Sequence, residues 1–116
     1  MPELPDVEVF RRYIDSTSLH KKIREVEVKD DRILEGIKGS DLEGLVGESF
    51  DETVRHGKHL LVKSGKKWVV FHFGMTGFVN YYKNEQPENV KVLFGFNDDH
   101  NLVYICTRML GKVTLT

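Results

Sequence analysis

The first stretch of the chain carries a hydrophobic pattern typical of a helix. Apolar residues recur every three or four positions, the spacing of one face of an amphipathic helix: Leu4, Val7, Phe10 and Ile14. This pattern predicts a helix over 4–14 that the Ser-Thr-Ser run at 16–18 ends. Arg11 and Arg12 would then lie towards its C-terminal end, where the helix dipole favours cations.

The remainder of the chain alternates between apolar and polar positions and is broken by turn residues, a pattern typical of short strands. Val26 and Val28 alternate with charged residues and predict an early strand, and residues 41–45 predict a short capped helical turn. Further strands are predicted at 48–56, 59–64, 68–73, 78–83, 90–96, 101–106 and from about 112.

Turn sequences at 64–67 and 97–101, and Pro87 in a polar stretch, separate these strands. We therefore predict a mainly β (α+β) fold: an antiparallel β-sandwich of about seven to eight strands with an N-terminal helix and a short second helix. Residues 112–116 alternate like a strand and stop without a turn. This favours one domain, 1–116, that belongs to a longer protein.

The composition is that of an ordinary globular domain, with 116 residues of which 40% are hydrophobic and 30% charged. No apolar run approaches the about 20 residues that a membrane helix needs, and no secretory segment follows Met1. A cytoplasmic protein is the resulting expectation. The single cysteine, Cys106, excludes an internal disulfide and a cysteine-rich metal site. The net charge of −1 does not by itself indicate a nucleic-acid binder, although basic residues cluster at 55–67.

Candidate chemistry begins at the N-terminus. Removal of Met1 would leave Pro2 with a free secondary amine, whose pKa near the ordinary α-amino value of about 8 leaves a useful fraction uncharged at neutral pH. Glu3 places a carboxyl group beside it. A nucleophilic amine next to an acid suits covalent catalysis through an iminium. The alternative is that Pro2 and the acids Glu3, Asp6 and Glu8 only favour the start of a helix.

Three further segments carry candidate residues, each with a plainer alternative. In 55–61, Gly57 permits a bend from which Lys58 could reach a phosphate, although exposed lysines at strand ends are common. In 72–77, glycines flank Met75, which could wedge between stacked bases or simply pack in the core. His72 lies in an apolar run, where a satisfied core histidine is the usual outcome.

The third segment, 106–111, places Arg108 two residues before the apolar Leu110, between two strands. Arginine can hydrogen-bond a base and stack on it, so these two side chains could enter a DNA duplex. The alternative is an ordinary loop arginine. The basic stretch 55–67 could supply the phosphate contacts that position DNA, or it could be a solvated surface.

Together these segments resemble the N-terminal domain of the formamidopyrimidine-DNA glycosylase and endonuclease VIII family over almost the whole chain. The resemblance is carried by Met1-Pro2-Glu3-Leu4-Pro5-Asp6-Val7-Glu8, by Arg55-His56-Gly57-Lys58-His59-Leu60-Leu61 and by His72-Phe73-Gly74-Met75-Thr76-Gly77. The opening octapeptide looks like the formamidopyrimidine type. The resemblance implies a base-excision-repair glycosylase and AP lyase that removes oxidised bases (8-oxoguanine, formamidopyrimidines) by β,δ-elimination.

The resemblance also implies a role for each site residue. Pro2 would be the nucleophile, Glu3 a general acid at the opening sugar, and Lys58 a phosphate-binding residue of the catalytic set. Residues implied to contact DNA are Lys58, Met75, Arg108, Leu110, Arg55 and His72. The implied partner is damaged double-stranded DNA at the nucleoid, with no membrane and no small-molecule cofactor.

This chain departs from the family pattern around Arg108. Where relatives commonly read Asp-Pro-Arg-(Arg/Lys)-Phe-Gly, it has Cys106-Thr107-Arg108-Met109-Leu110-Gly111, so only the arginine and the glycine are kept. The family's helix-two-turn-helix and finger domains would lie beyond residue 116. Full-length relatives often bind one zinc in that finger, whereas no zinc is expected in this chain.

Two other functions compete with this interpretation. The first is a damaged-DNA-binding domain of the same fold without catalysis. The second is a tautomerase in which an N-terminal proline moves protons. Such tautomerases are short α/β chains with parallel strand pairing, and the β-meander predicted after the first helix does not favour that architecture.

Overall fold

The computed structural model describes residues 4–74, 77–107 and 111–116, with side chains from residue 7 onward. A single 3₁₀ turn (Asp31–Ile33) accompanies the helices and strands in these ranges. In chain order the helices and strands are α1 (Leu4–Thr17), β1 (Ile23–Val28), α2 (Gly39–Glu43), β2 (Phe50–His56), β3 (His59–Ser64), β4 (Lys67–His72), β5 (Phe78–Tyr82), β6 (Val90–Phe96), β7 (Asn101–Ile105) and β8 (Lys112–Leu115).

The eight strands form two four-stranded sheets, ordered β1-β6-β7-β5 and β2-β3-β4-β8. Every pairing between these strands is antiparallel, which confirms the predicted sandwich with two helices. Aromatic rings fill the space between the sheets: Phe50 packs edge-on against Phe94 and Phe96, with ring centroids 5.2 and 6.0 Å away. This antiparallel architecture differs from the parallel pairing of the tautomerase alternative.

Helix α1 closes the edge of the sandwich between β2 and β5. Its inner face buries Val7 and Ile14 completely. The Tyr13 hydroxyl accepts a hydrogen bond from the Tyr81 backbone N–H at 2.7 Å and donates to the Tyr81 carbonyl at 3.4 Å. On the other side of the helix, the Thr53 hydroxyl donates to the Asp15 carboxylate. The helix is therefore fixed to one strand of each sheet.

The bounds of both helices differ from the sequence prediction. Helix α1 continues to Thr17 because the hydroxyls of Ser16 and Thr17 donate to the Tyr13 carbonyl, at 3.0 and 2.7 Å, and so do not terminate it. As a result Arg11 and Arg12 lie in mid-helix rather than towards its end.

The second helix covers 39–43 rather than 41–45, because Asp41 is its third residue and not its cap. The Asp41 carboxylate accepts a hydrogen bond from the Lys38 backbone N–H at 2.7 Å, so the helix begins earlier than predicted. Strand β2 begins at Phe50, not at residue 48.

A hydrogen bond and a close glycine contact join the two sheets where the β4–β5 and β7–β8 loops begin. The hydroxyl of the fully buried Tyr104, in β7, donates to the His72 carbonyl of β4 at 2.7 Å. Gly111 lies against this bond, and a Cβ at that position would overlap the Tyr104 hydroxyl and approach the His72 carbonyl oxygen to 2.7 Å. The loop before β8 can therefore follow its path only with glycine at 111.

We predict that Tyr104→Phe lowers the free energy of unfolding by about 1 kcal/mol or somewhat more, because it leaves the His72 carbonyl without its buried donor. Tyr82→Phe is the matched control, because the half-buried Tyr82 side chain has no hydrogen bond to its hydroxyl within the described ranges of the chain. Urea unfolding of both variants measures the difference. Equal destabilisation by the two substitutions would contradict a structural role for the Tyr104 hydroxyl.

Candidate active site

The segments singled out in the sequence meet at one end of the sandwich, called here the loop end. Strand pairing places His59 opposite His72 and His72 opposite Lys112. The turn between β2 and β3, the loop after β4 and the loop before β8 therefore start side by side. These are the segments that contain Lys58, Met75, Arg108 and Leu110.

Helix α1 begins at the same end. Glu8 approaches Arg55 in β2, with 3.4 Å between carboxylate and guanidinium, and the Phe10 ring lies 4.7 Å from the Phe73 ring. Two turns further along the helix, Asp15 contacts Thr53. The helix thus begins near the loop end at Leu4 and runs away from that end. Pro2 and Glu3 directly precede Leu4 in sequence and lie outside the described residues.

The bend predicted at Gly57 is a two-residue β-hairpin turn formed by Gly57 and Lys58. His56 pairs with His59 across it, and Gly57 has a φ of 61° whereas Lys58 does not have a positive φ. A positive φ at the first turn residue alone is the requirement of a type II′ turn, which glycine meets without strain. Lys58 follows at the tip and is exposed.

Glu8 joins the helix to this turn. It accepts hydrogen bonds from Arg11 and Arg12, both with Nε at 3.0 Å, and these bonds lower the pKa of its carboxyl group to about 2. It also faces Arg55, whose Nη1 donates to the Gly57 carbonyl at 3.2 Å. Arg55 therefore contacts both α1 and the turn that carries Lys58. Sequence reasoning assigned Glu8 only to the helix start, since no local pattern links it to the distant Arg55.

His72 is exposed, so the expectation of a core histidine is wrong. In β4 the alternate residues Val69 and Phe71 face the core, which turns His72, the last residue of the strand, to the outside. Its ring lies 4.9 Å from that of His59, tilted by 39°. Both imidazoles therefore reach solvent at the loop end.

Met75, Arg108 and Leu110 lie outside the described residues, as Pro2 and Glu3 do. The stems of their loops are described. The Gly77 N–H donates to the Phe73 carbonyl at 2.8 Å, and a Cβ at Gly77 would collide with the Phe73 backbone. At the other loop, the buried Cys106 is followed by the exposed Thr107. The glycines at 77 and 111 therefore fix where both loops enter the fold.

Within the described parts of the chain, no group of three or more His, Cys, Asp or Glu side chains is arranged to hold a metal ion. The Cys106 thiol is buried and takes part in no disulfide. The same residues include no helix long and apolar enough to cross a membrane. What this end offers is a cluster of basic side chains beside a helix start.

The sequence relatives are bacterial glycosylases. The chain is 32% identical to the formamidopyrimidine-DNA glycosylase of Streptococcus mutans over 99% of its own length and 43% of that protein. It is 34% identical to the enzyme of the same name from Symbiobacterium thermophilum, over 96% of the chain and 37% of that protein. The chain therefore spans less than half the length of these relatives.

Solved structures with the same fold include complexes with DNA. A Lactococcus lactis Fpg bound to DNA containing an abasic site matches with a TM-score of 0.91 and 25% identity, over 99% of this chain and 43% of that one. MutM bound to DNA containing carbocyclic 8-oxo-G matches with a TM-score of 0.91 and 26% identity, over 99% and 44%. The family model described as the formamidopyrimidine-DNA glycosylase N-terminal domain matches residues 1–113, and the chain belongs to that family.

Proposed function

We propose that this chain is the N-terminal part of a DNA glycosylase and AP lyase that excises oxidised bases such as 8-oxoguanine and formamidopyrimidines. The observation that carries the proposal is the convergence at the loop end. The start of α1, the Gly57–Lys58 turn and the two loop stems meet there, in a fold that matches Fpg bound to damaged DNA.

In the proposed reaction the uncharged Pro2 nitrogen attacks C1′ of the damaged nucleotide. The bond from C1′ to the base breaks, and the base leaves with that electron pair and takes up a proton, while the Pro2 nitrogen loses its N–H proton. Glu3 donates a proton to O4′ as the sugar opens, which gives an iminium between Pro2 and C1′. A secondary amine forms an iminium without an N–H, so the adduct stays cationic and accepts electrons.

Two eliminations follow from that cation. Loss of a proton from C2′ expels the 3′ phosphate, and a second elimination expels the 5′ phosphate. Water then cleaves the iminium and restores the Pro2 amine. The dipole of α1 places partial positive charge near its start, which favours the deprotonated, nucleophilic form of the amine.

The remaining candidate residues hold the DNA. Lys58, at an exposed turn tip, would bind a phosphate beside the lesion as a compact charge. Met75, Arg108 and Leu110 would fill the space left by the extruded base, because chemistry on a base requires its removal from the stack. Leucine at 110 can act as a wedge but stacks on bases less well than the phenylalanine usual in the family.

We further propose that the whole protein supplies additional domains, including any zinc finger, and acts in the cytoplasm on nucleoid DNA. The relatives are more than twice the length of this chain. No step of the proposed chemistry in residues 1–116 uses zinc. Those domains would provide much of the DNA contact that a chain with a net charge of −1 lacks.

We predict that borohydride traps a covalent adduct between this chain and DNA containing an abasic site, because hydride reduces the iminium to a stable amine. Intact mass must first show that Met1 is absent, since Pro2 is otherwise an amide. Pro2→Gly should trap much less. Because this chain alone is expected to bind DNA weakly and cleave it poorly, the deciding case is the full-length protein: with a free Pro2 and no adduct, it would leave the non-catalytic alternative.

We expect this chain alone to bind duplex DNA weakly, because few phosphates can be neutralised. Its dissociation constant at physiological salt should be micromolar or weaker. A gel shift with lesion-containing duplex measures it. Nanomolar binding by these 116 residues would contradict the expectation that other domains supply most of the affinity.

We predict that Arg55→Gln slows borohydride trapping on the order of tenfold beyond what any loss of DNA affinity explains, because it loosens the turn that carries Lys58 from α1. Arg12→Gln is the control, since Arg12 also bonds Glu8 and, among the contacts of the described residues, bonds no residue of the turn. The double variant Arg55→Gln, Glu8→Gln should trap DNA only slightly more slowly than Arg55→Gln alone. An affinity loss that accounts for the slower trapping would instead indicate that Arg55 contacts DNA directly.

A further inference from the structure

Four basic or titratable side chains form a row across the second sheet at its loop end. His56 pairs with His59, His59 with His72, and His72 with Lys112, across β2, β3, β4 and β8. Residues directly opposite one another in antiparallel strands share a face of the sheet. Since neighbouring strands are about 4.8 Å apart, this histidine row is about 14 Å long.

The histidine row lies on the outer face of the sheet. The residues adjacent to it along the strands, Leu60, Phe71 and Val113, are completely buried in the core, so the row must point away from it. The three imidazoles are exposed and Lys112 is half-buried. The His59 and His72 rings, 4.9 Å apart, already stand close together.

No carboxylate among the described residues pairs with these three imidazoles, whereas His100, elsewhere in the fold, lies 3.4 Å from the Asp98 carboxylate. Along each strand, the next residue on the same outer face of the sheet is uncharged: Val54, Leu61, Val70 and Thr114. Beyond them, Glu52 lies 3.9 Å from Lys63.

The charged groups at the ends of the row do not cancel its charge. Lys112 donates to the Arg32 carbonyl at 3.5 Å, and the Arg32 side chain is paired with Asp30 at 2.7 Å. At the other end, the turn after His56 carries the exposed Lys58. Across the sheet edge, Glu8 of α1 is bonded to arginines. Protonation of the histidines would therefore create a continuous positive strip.

We infer that the histidine row binds the sugar–phosphate backbone of one DNA strand, and that this contact strengthens as pH falls. One strand carries a charge about every 3.4 Å along the axis, so the row spans about four nucleotide steps. Imidazole gains its charge between about pH 8 and 5 and then donates from both ring nitrogens. The identity of DNA as the partner rests on the proposed function. His72 is already a candidate DNA contact, and the inference adds His56, His59 and Lys112 as further backbone contacts.

The test measures binding of this chain to a labelled duplex by fluorescence anisotropy, over a salt series at pH 6 and pH 8. We expect tighter binding at pH 6 and a steeper salt dependence, by about 0.9 in the slope of log K against log[salt] for each phosphate newly neutralised. The triple variant His56→Gln, His59→Gln, His72→Gln should lose most of this difference between the two pH values.

The two histidines outside the row provide the matched control. His20→Asn with His100→Gln removes two imidazoles from other parts of the fold and should keep the pH effect. Lys112→Gln should weaken binding at both pH values and leave the pH effect in place. Circular dichroism and thermal unfolding establish that each variant is folded.

Equal binding at pH 6 and pH 8, or equal loss of the pH effect in the triple variant and the control, would overturn the inference. Borohydride trapping reports on the proposed function separately. Trapping of abasic DNA without a pH effect on affinity would support the proposed glycosylase function and contradict a role of the histidine row in DNA binding. A pH effect on affinity together with no adduct from the full-length protein would support the histidine row and contradict the covalent chemistry.

Discussion

The arrangement of the loop end depends on how aromatic packing holds the two sheets together there. The Tyr104 ring from one sheet stacks on Phe71 from the other, with centroids 5.6 Å apart, and lies 5.8 Å from Phe73. Burial raises the pKa of the Tyr104 hydroxyl, which therefore stays protonated and donates to the His72 carbonyl. Because Phe73 also contacts Phe10 of α1, one aromatic cluster fixes both loop stems and the helix start. Residues from four separate segments can thus serve one site.

The distribution of charge explains how a chain with a net charge of −1 can present a basic end. Many of its cations are already paired with acids away from the loop end, such as Lys21 with Asp98 at 2.7 Å and Arg24 with Asp99 at 2.6 Å. Glu8, an acid at the loop end, is paired with three arginines, Arg11, Arg12 and Arg55. Net charge therefore says little about this surface. What matters for a phosphate is that acids and bases are separated in space.

Much of the fold follows from the sequence because its signals are local. Alternation of apolar residues and turn-forming glycines predicted seven of the eight strands close to their observed bounds, and Val26 and Val28 marked the other. Errors occurred where a side chain made an unexpected local bond. Ser16 and Thr17 continue α1 by bonding to Tyr13, and Asp41 caps α2 from inside the helix. The plainer alternative for His72, a core histidine, is wrong because an apolar neighbourhood in sequence does not show which face of the sheet the last residue of a strand takes.

The sequence by itself determined the fold class, the family and the identity of the candidate nucleophile, because these depend on periodicity and on motifs read within a few residues. Only the tertiary structure decided which residues are neighbours. Arg55 bridges Glu8 and the Gly57 turn, and three histidines line up with Lys112 across four strands. Such contacts depend on the register of strand pairing and on the placement of a helix against a sheet edge. Packing of the whole core sets both, and no local pattern in the chain encodes them.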